Sequence, residues 1–138
     1  MKQILTFDSF EPLCRVMTPT KALRPLRLML LHDVEVWNND KTKKVVTLPE
    51  GFISDGASVP NVVHIVFPPF GMYLCAAFVH DYYCDKANAE GNYLWRQYGD
   101  DRFKGWAKQC GVSTVRATPM GQAVQSYGKY LKLMGKLK

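Results

Sequence analysis

The sequence predicts an α+β fold: an N-terminal antiparallel β-hairpin or small sheet, then a shaped loop, then about three α-helices. Three observations predict it. Period-two alternation of apolar residues is confined to the first third of the chain. Helical periodicity begins only after residue 70. Between them lies a stretch punctuated by Gly51, Gly56, Pro60, Pro68 and Pro69, which neither a strand nor a helix accommodates.

Residues 1–25 read as an irregular arm broken by Pro12, Pro19 and Pro25. Residues 26–37 read as one strand, with Val34 and Val36 on one face and Asp33, Glu35 and Trp37 on the other. Asn38-Asn39-Asp40-Lys41 is a turn signal, and Lys44 to Leu48 is a β-branched second strand, so the two make an antiparallel hairpin. Pro49-Glu50-Gly51 closes it, GFISDGASVP at 51–60 is the shaped loop, and the apolar run 61–67 stops at Pro68-Pro69.

Residues 71–84 predict a buried helix, with Tyr73, Ala76, Ala77, His80 and Cys84 on one face. Asn88 to Asn92 is a polar connection. A second helix spans Tyr93 to Gln109 and stops at Cys110-Gly111. Pro119 opens a third, whose apolar stripe is Val124, Tyr127, Leu131 and Met134. The organisation expected is one domain over 1–138: the arm 1–25, a core 26–118 and a basic C-terminal helix 119–138.

Composition bounds the function classes. The chain has 138 residues, 47% hydrophobic and 22% charged, which suits one folded domain that needs no staple. Its four cysteines, Cys14, Cys75, Cys84 and Cys110, include no C-x-x-C pair, so buried free thiols are expected rather than a disulfide framework. No apolar run reaches the roughly 20 residues of a membrane span, and no signal peptide opens the chain. Synthesis in a cytoplasm, without export by a cleaved signal, is the expectation. The net charge of +6 concentrates at Lys41, Lys43 and Lys44 and at Lys129, Lys132, Lys136 and Lys138. That excess serves solubility, and it also suits an anionic surface or nucleic acid.

Ionisable groups in an apolar helix are costly unless paired, which singles out His80 and Asp81. Adjacent helical positions diverge by about 100°, so the two serve different partners. One arrangement turns His80 into a cleft and uses Asp81 to orient a neighbour; the other bolts the helix to the Asp55 loop as a buried structural pair. Asp55, followed by Gly56, can bind a cation, hold a histidine tautomer or close an Asx-turn. Ser58 lacks the strand–elbow–helix setting of a nucleophile and reads as a loop-capping hydroxyl. Arg96 and Asp100 form an i, i+4 pair that contributes little if exposed. Turned inward, Asp100 joins His80 and Asp55, and these carboxylates with one imidazole suit general acid–base work or a divalent metal held by Asp55, His80, Asp81 and Asp100. Tyr83, with Tyr82, Trp95 and Tyr98, either stacks on a ligand or packs the core. His32 and His64 are expected to be structural or solvated.

Four blocks occur in order: G-F-x-x-D-G-A-S-V-P at 51–60, A-A-x-x-H-D at 76–81, R-x-x-G-D-x-x-F at 96–103, and Gly111-Val112 followed by M-x-x-A-V-x-x-x-G from Met120 to Gly128. On these blocks the chain resembles a family of uncharacterised small domains common in tailed bacteriophages and prophages, over about residues 26–130. The family has an aromatic near position 64, Leu-Tyr after H-D-x and Ala-Asp before the third block's end, where this chain has His64, Tyr83-Cys84 and Gly99-Asp100. A local likeness also exists. H-D-x-x-C at 80–84 is similar to the H-D-x-C-Y helix of secreted calcium-loop phospholipases, whose His activates water and whose Asp binds calcium. The cysteine here is displaced by one, and the paired cysteines and G-x-G loop of that group are missing.

Three functions follow as expectations. The first is a small phage hydrolase acting on anionic cell-envelope material, peptidoglycan or lipid, with His80 as base and Asp55 or Asp100 orienting it or holding a cation. The second is a non-catalytic virion component, a tail or connector accessory that meets other virion proteins and whose His–Asp cluster is structural. The third is a protein that binds a host factor or nucleic acid, which rests on the basic patches alone.

Overall fold

The computed structural model describes residues 1–17, 27–54 and 73–136. The shaped loop from Asp55 onward, with Gly56, Ser58 and His64, lies outside the described residues, as does the end of the N-terminal arm. Six strands precede three helices among the described residues, an α+β arrangement. The strands are β1 (Lys2–Thr6), β2 (Cys14–Met17), β3 (Arg27–Leu30), β4 (Asp33–Trp37), β5 (Lys44–Leu48) and β6 (Ile53–Ser54). They form two three-stranded sheets, β1-β4-β5 and β2-β3-β6.

The expected hairpin is present as the antiparallel pair β4–β5, with Val34 opposite Leu48 and Val36 opposite Val46. Val34 and Val36 are fully buried and Asp33 is exposed, as the alternation requires. The turn carries Lys41 at φ +61, while the Asp40 carboxylate accepts from the backbone and hydroxyl of Thr42.

Two expectations are corrected. The arm is not irregular throughout: β1 pairs in parallel with β4, Lys2 facing Asp33, and β2 pairs antiparallel with β3. Residues 26–37 are not one strand either. The chain bends at Leu31-His32, so β3 and β4 belong to different sheets. The bend is held from outside: Leu31 donates to the Leu13 carbonyl, and the Asp33 carboxylate accepts from the Glu50 amide.

The helices are α1 (Leu74–Glu90), α2 (Tyr93–Gln109) and α3 (Thr114–Leu133). Gly91, left-handed at φ +63, ends α1, and the Asn92 side chain accepts from the Leu94 amide to start α2. A two-residue connection built of one cap each makes α1 and α2 antiparallel neighbours. The third helix starts at Thr114, five residues before the expected Pro119. Buried Ala117 and Met120 pack the first turns against the core, which outweighs the one backbone hydrogen bond that Pro119 removes. The buried stripe of α3 is Ala117, Met120, Gly121, Val124, Gly128 and Leu131, and the expected Met134 is exposed.

One hydrophobic core joins Leu30, Val34, Val36 and Leu48 of the sheets to Cys75, Phe78 and Val79 of α1 and to Phe103 and Trp106 of α2. Each such side chain contributes roughly 1.5–3 kcal/mol on burial. The hairpin turn is also clamped to the end of α2. Asn39 donates through its amide N–H and Nδ2 to Gln109, whose Nε2 donates to Asn38 Oδ1. All four cysteines are free. Among the described residues no helix is long and apolar enough to cross a membrane.

Candidate active site

α1 is buried on almost every side, Cys75 through Asp81 without a break, so each polar side chain it carries must find a partner inside the protein. His80 and Asp81 find different ones. His80 is 1% exposed, and its Nε2 lies 2.6 Å from Asp100 Oδ1 on α2. Asp81 Oδ2 accepts from the Ser54 hydroxyl at 2.5 Å, across to the end of β6. The roughly 100° between successive helical positions is what divides them.

Asp100 is turned inward, as the functional reading required. It is 3% exposed, with Oδ1 on His80 and Oδ2 3.5 Å from Arg96 Nε. The Arg96–Asp100 pair is therefore a buried ion pair and not the weak surface pair its spacing alone suggested, since Arg96 is fully buried. The Arg96 guanidinium also stands 5.4 Å from the centre of the Tyr127 ring of α3. Phe103 packs its ring edgewise on His80 at 5.3 Å, fixing the imidazole plane.

Sequence reasoning placed Cys84 on the His80 face without giving it a role. The i, i+4 spacing puts its Sγ 3.8 Å from His80 Nδ1 and 3.9 Å from Nε2. Ser54 and Gly128 were missed. At Gly128 α3 passes directly against the cluster: a Cβ there would overlap the Asp100 Oδ2 oxygen. Gly99 plays a similar part between α1 and α2, where a Cβ would meet Tyr83 Cβ at 3.2 Å and His80 Cδ2 at 3.4 Å. Tyr83 itself packs against Trp95, Tyr98 and Trp106, and burial pushes its phenol up to about 12.

Burial alone would lower the pKa of His80. The neighbouring Cys84 sulfur and the hydrogen-bonded Asp100 carboxylate outweigh it, and the pKa rises from 6.5 to about 10. At neutral pH His80 is then an imidazolium donating to a carboxylate. A carboxylate on one ring nitrogen fixes the orientation of the ring and stabilises its charged form, which is the part the aspartate plays in hydrolytic triads. Of this cluster, Asp100 also lines a surface cleft of about 140 Å³ between α2 and α3, with Tyr93, Gln97, Lys129 and Lys132.

Among the described residues, the donor atoms that converge closely enough for one metal ion are those of His80, Cys84 and Asp100, all within 4.8 Å of one another. Asp81, expected among the ligands, is not in this group, and Asp55 lies outside the described residues.

No curated protein and no solved structure matches the chain. A family model does, over residues 29–124, a span that holds β4, β5, α1, α2 and the His80, Cys84 and Asp100 cluster. The chain belongs to the family described as protein of unknown function DUF1353.

Proposed function

We propose that the chain is a small hydrolase of phage or prophage origin that acts on cell-envelope material. The carrying observation is the 2.6 Å contact between His80 Nε2 and Asp100 Oδ1, held between two antiparallel helices inside the protein. In this reading His80 is the general base for water, through the ring nitrogen that Asp100 does not hold. Asp100 orients the ring and stabilises the imidazolium that forms. Arg96 holds the second oxygen of Asp100 and so keeps the first on His80. The bond from Ser54 to Asp81 anchors the chain immediately before Asp55 to the same helix. The raised pKa of His80 has a consequence: the base forms only as the imidazolium loses its proton, so turnover climbs with pH toward about 10.

The test is turnover on phospholipid vesicles and on peptidoglycan sacculi, across pH 6–10, for the wild type and His80→Gln. Hydrolysis is expected to rise with pH and to vanish in the variant. Equal turnover in His80→Gln ends the assignment. A second reading has its own support, because His80 and Asp100 are 1% and 3% exposed and a buried pair of this kind also serves as fold-fixing architecture. In that reading the chain is a virion component. Mass spectrometry of purified particles, together with no turnover on either substrate, would favour it.

A further inference from the structure

We propose that His80, Cys84 and Asp100 bind a divalent transition-metal ion of the zinc class. The inference goes beyond the hydrolytic reading: an ion on Nε2 and Oδ1 takes the place of the His80–Asp100 hydrogen bond that reading uses, and its test reads the metal without substrate, so either can fail alone. The three donors come from two elements. His80 and Cys84 stand one turn apart on α1 and therefore project to the same side. Asp100 meets them from α2.

A tetrahedral zinc-class ion takes nitrogen and oxygen at about 2.0–2.2 Å and sulfur at about 2.3 Å, so its donors stand roughly 3.3–3.6 Å apart. Here Nε2 lies 3.9 Å from Sγ and 2.6 Å from Oδ1. Entry of the ion therefore requires the Nε2–Sγ edge to close by roughly 0.3 Å, the Nε2–Oδ1 edge to open by roughly 0.7 Å, and the Sγ–Oδ1 edge, at most 4.8 Å, to close by up to roughly 1.2 Å. Side-chain rotation is what must supply these shifts, from helix backbones that already bring all three donors within 4.8 Å.

The chemistry selects the class of ion. Thiolate and imidazole favour zinc, cobalt, nickel or copper over calcium and magnesium, which take oxygen donors. Thiolate and carboxylate supply two negative charges toward the dication. Arg96, 3.5 Å from Asp100 Oδ2, occupies the far oxygen and leaves Oδ1 to the metal, as an outer-shell partner does in known metal sites. Three protein ligands leave one coordination position over, which is the pattern of catalytic rather than structural zinc.

The full chain, stripped with a chelator and refolded with Co(II), should take up one ion per molecule. It should show a near-ultraviolet sulfur-to-cobalt charge-transfer band, and Zn(II) should displace the ion. Cys84→Ser should lose the band, whereas Cys14→Ser, at a half-buried thiol elsewhere, should keep it. X-ray absorption of the zinc-loaded wild type needs no variant and should find one sulfur at about 2.3 Å with nitrogen or oxygen neighbours. Native refolded protein that takes up no cobalt, a band that survives in Cys84→Ser, or a zinc shell without sulfur would each overturn the proposal.

Discussion

Asp100 accepts from His80 through one carboxylate oxygen and faces Arg96 with the other, so a single buried anion answers two cationic groups. Such a residue resists replacement even by its own isostere. Asparagine at this position keeps the shape and can still hydrogen-bond the imidazole, but it removes the charge. Breaking a buried pair from one side typically costs about 3–5 kcal/mol, because the remaining charge is left in a low-dielectric interior. We therefore expect Asp100→Asn to lower stability by about that amount at pH 7, read from the urea midpoint. A loss well under 1 kcal/mol would place the pair in water and not in the core. The sequence exposed half of this arrangement. His80 stood out because an imidazole in an apolar helix is costly, and Asp100 because its inward turn was one of two options. Their contact was not legible, since residues 20 apart in sequence carry no local signature of meeting.

At the scale of elements, glycines set how closely the helices approach. α3 passes so near Asp100 that the Gly128 position has no room for a methyl group, and at Gly121 a Cβ would stand 2.9 Å from Lys104 Cβ. Alanine in a helix interior usually gains about 1 kcal/mol over glycine. Overpacking costs about 1–3 kcal/mol, and here it falls on the carboxylate that holds His80. The second effect wins, so Gly128→Ala should destabilise the protein and move the His80 ring signals in an NMR spectrum; a stabilised variant with unmoved signals would show that α3 yields freely. The same scale explains what the sequence disclosed. The β4–β5 hairpin and α2 were legible because turn residues and caps are local. β1 and β2 were not. The parallel partner of β1 is β4, beginning 31 residues on, and a non-local pairing leaves no mark on a five-residue strand. The break between β3 and β4 escaped for a similar reason, because bonds from Leu13 and Glu50 hold it.

Across the whole molecule, the buried titratable groups tie stability to pH. The pKa of His80 is raised from 6.5 to about 10, so the folded state holds a proton that the unfolded chain has released between those values. Its contribution is complete below about 6.5 and is lost as pH rises through about 10. The buried thiol of Cys75 and the phenols of Tyr73 and Tyr83 act in the same direction at higher pH. Burial raises all three, from 9.0 for the thiol and 10.0 for the phenols, so the unfolded chain loses those protons first. Cys14 and Cys110 are raised by burial as well, so the interval from pH 6.5 to about 7.5, below the onset of thiol ionisation, isolates His80. Within it the chelator-treated protein should lose stability at up to about 1.4 kcal/mol per pH unit, the full linkage of one proton. His80→Gln should be flat across the same interval and should steepen only where the thiols and phenols begin to ionise. The measurement is a series of urea unfolding curves at half-unit steps. A wild-type profile as flat as that of the variant would mean that the imidazole is neutral in the folded protein, and that Asp100 holds a tautomer instead of a cation.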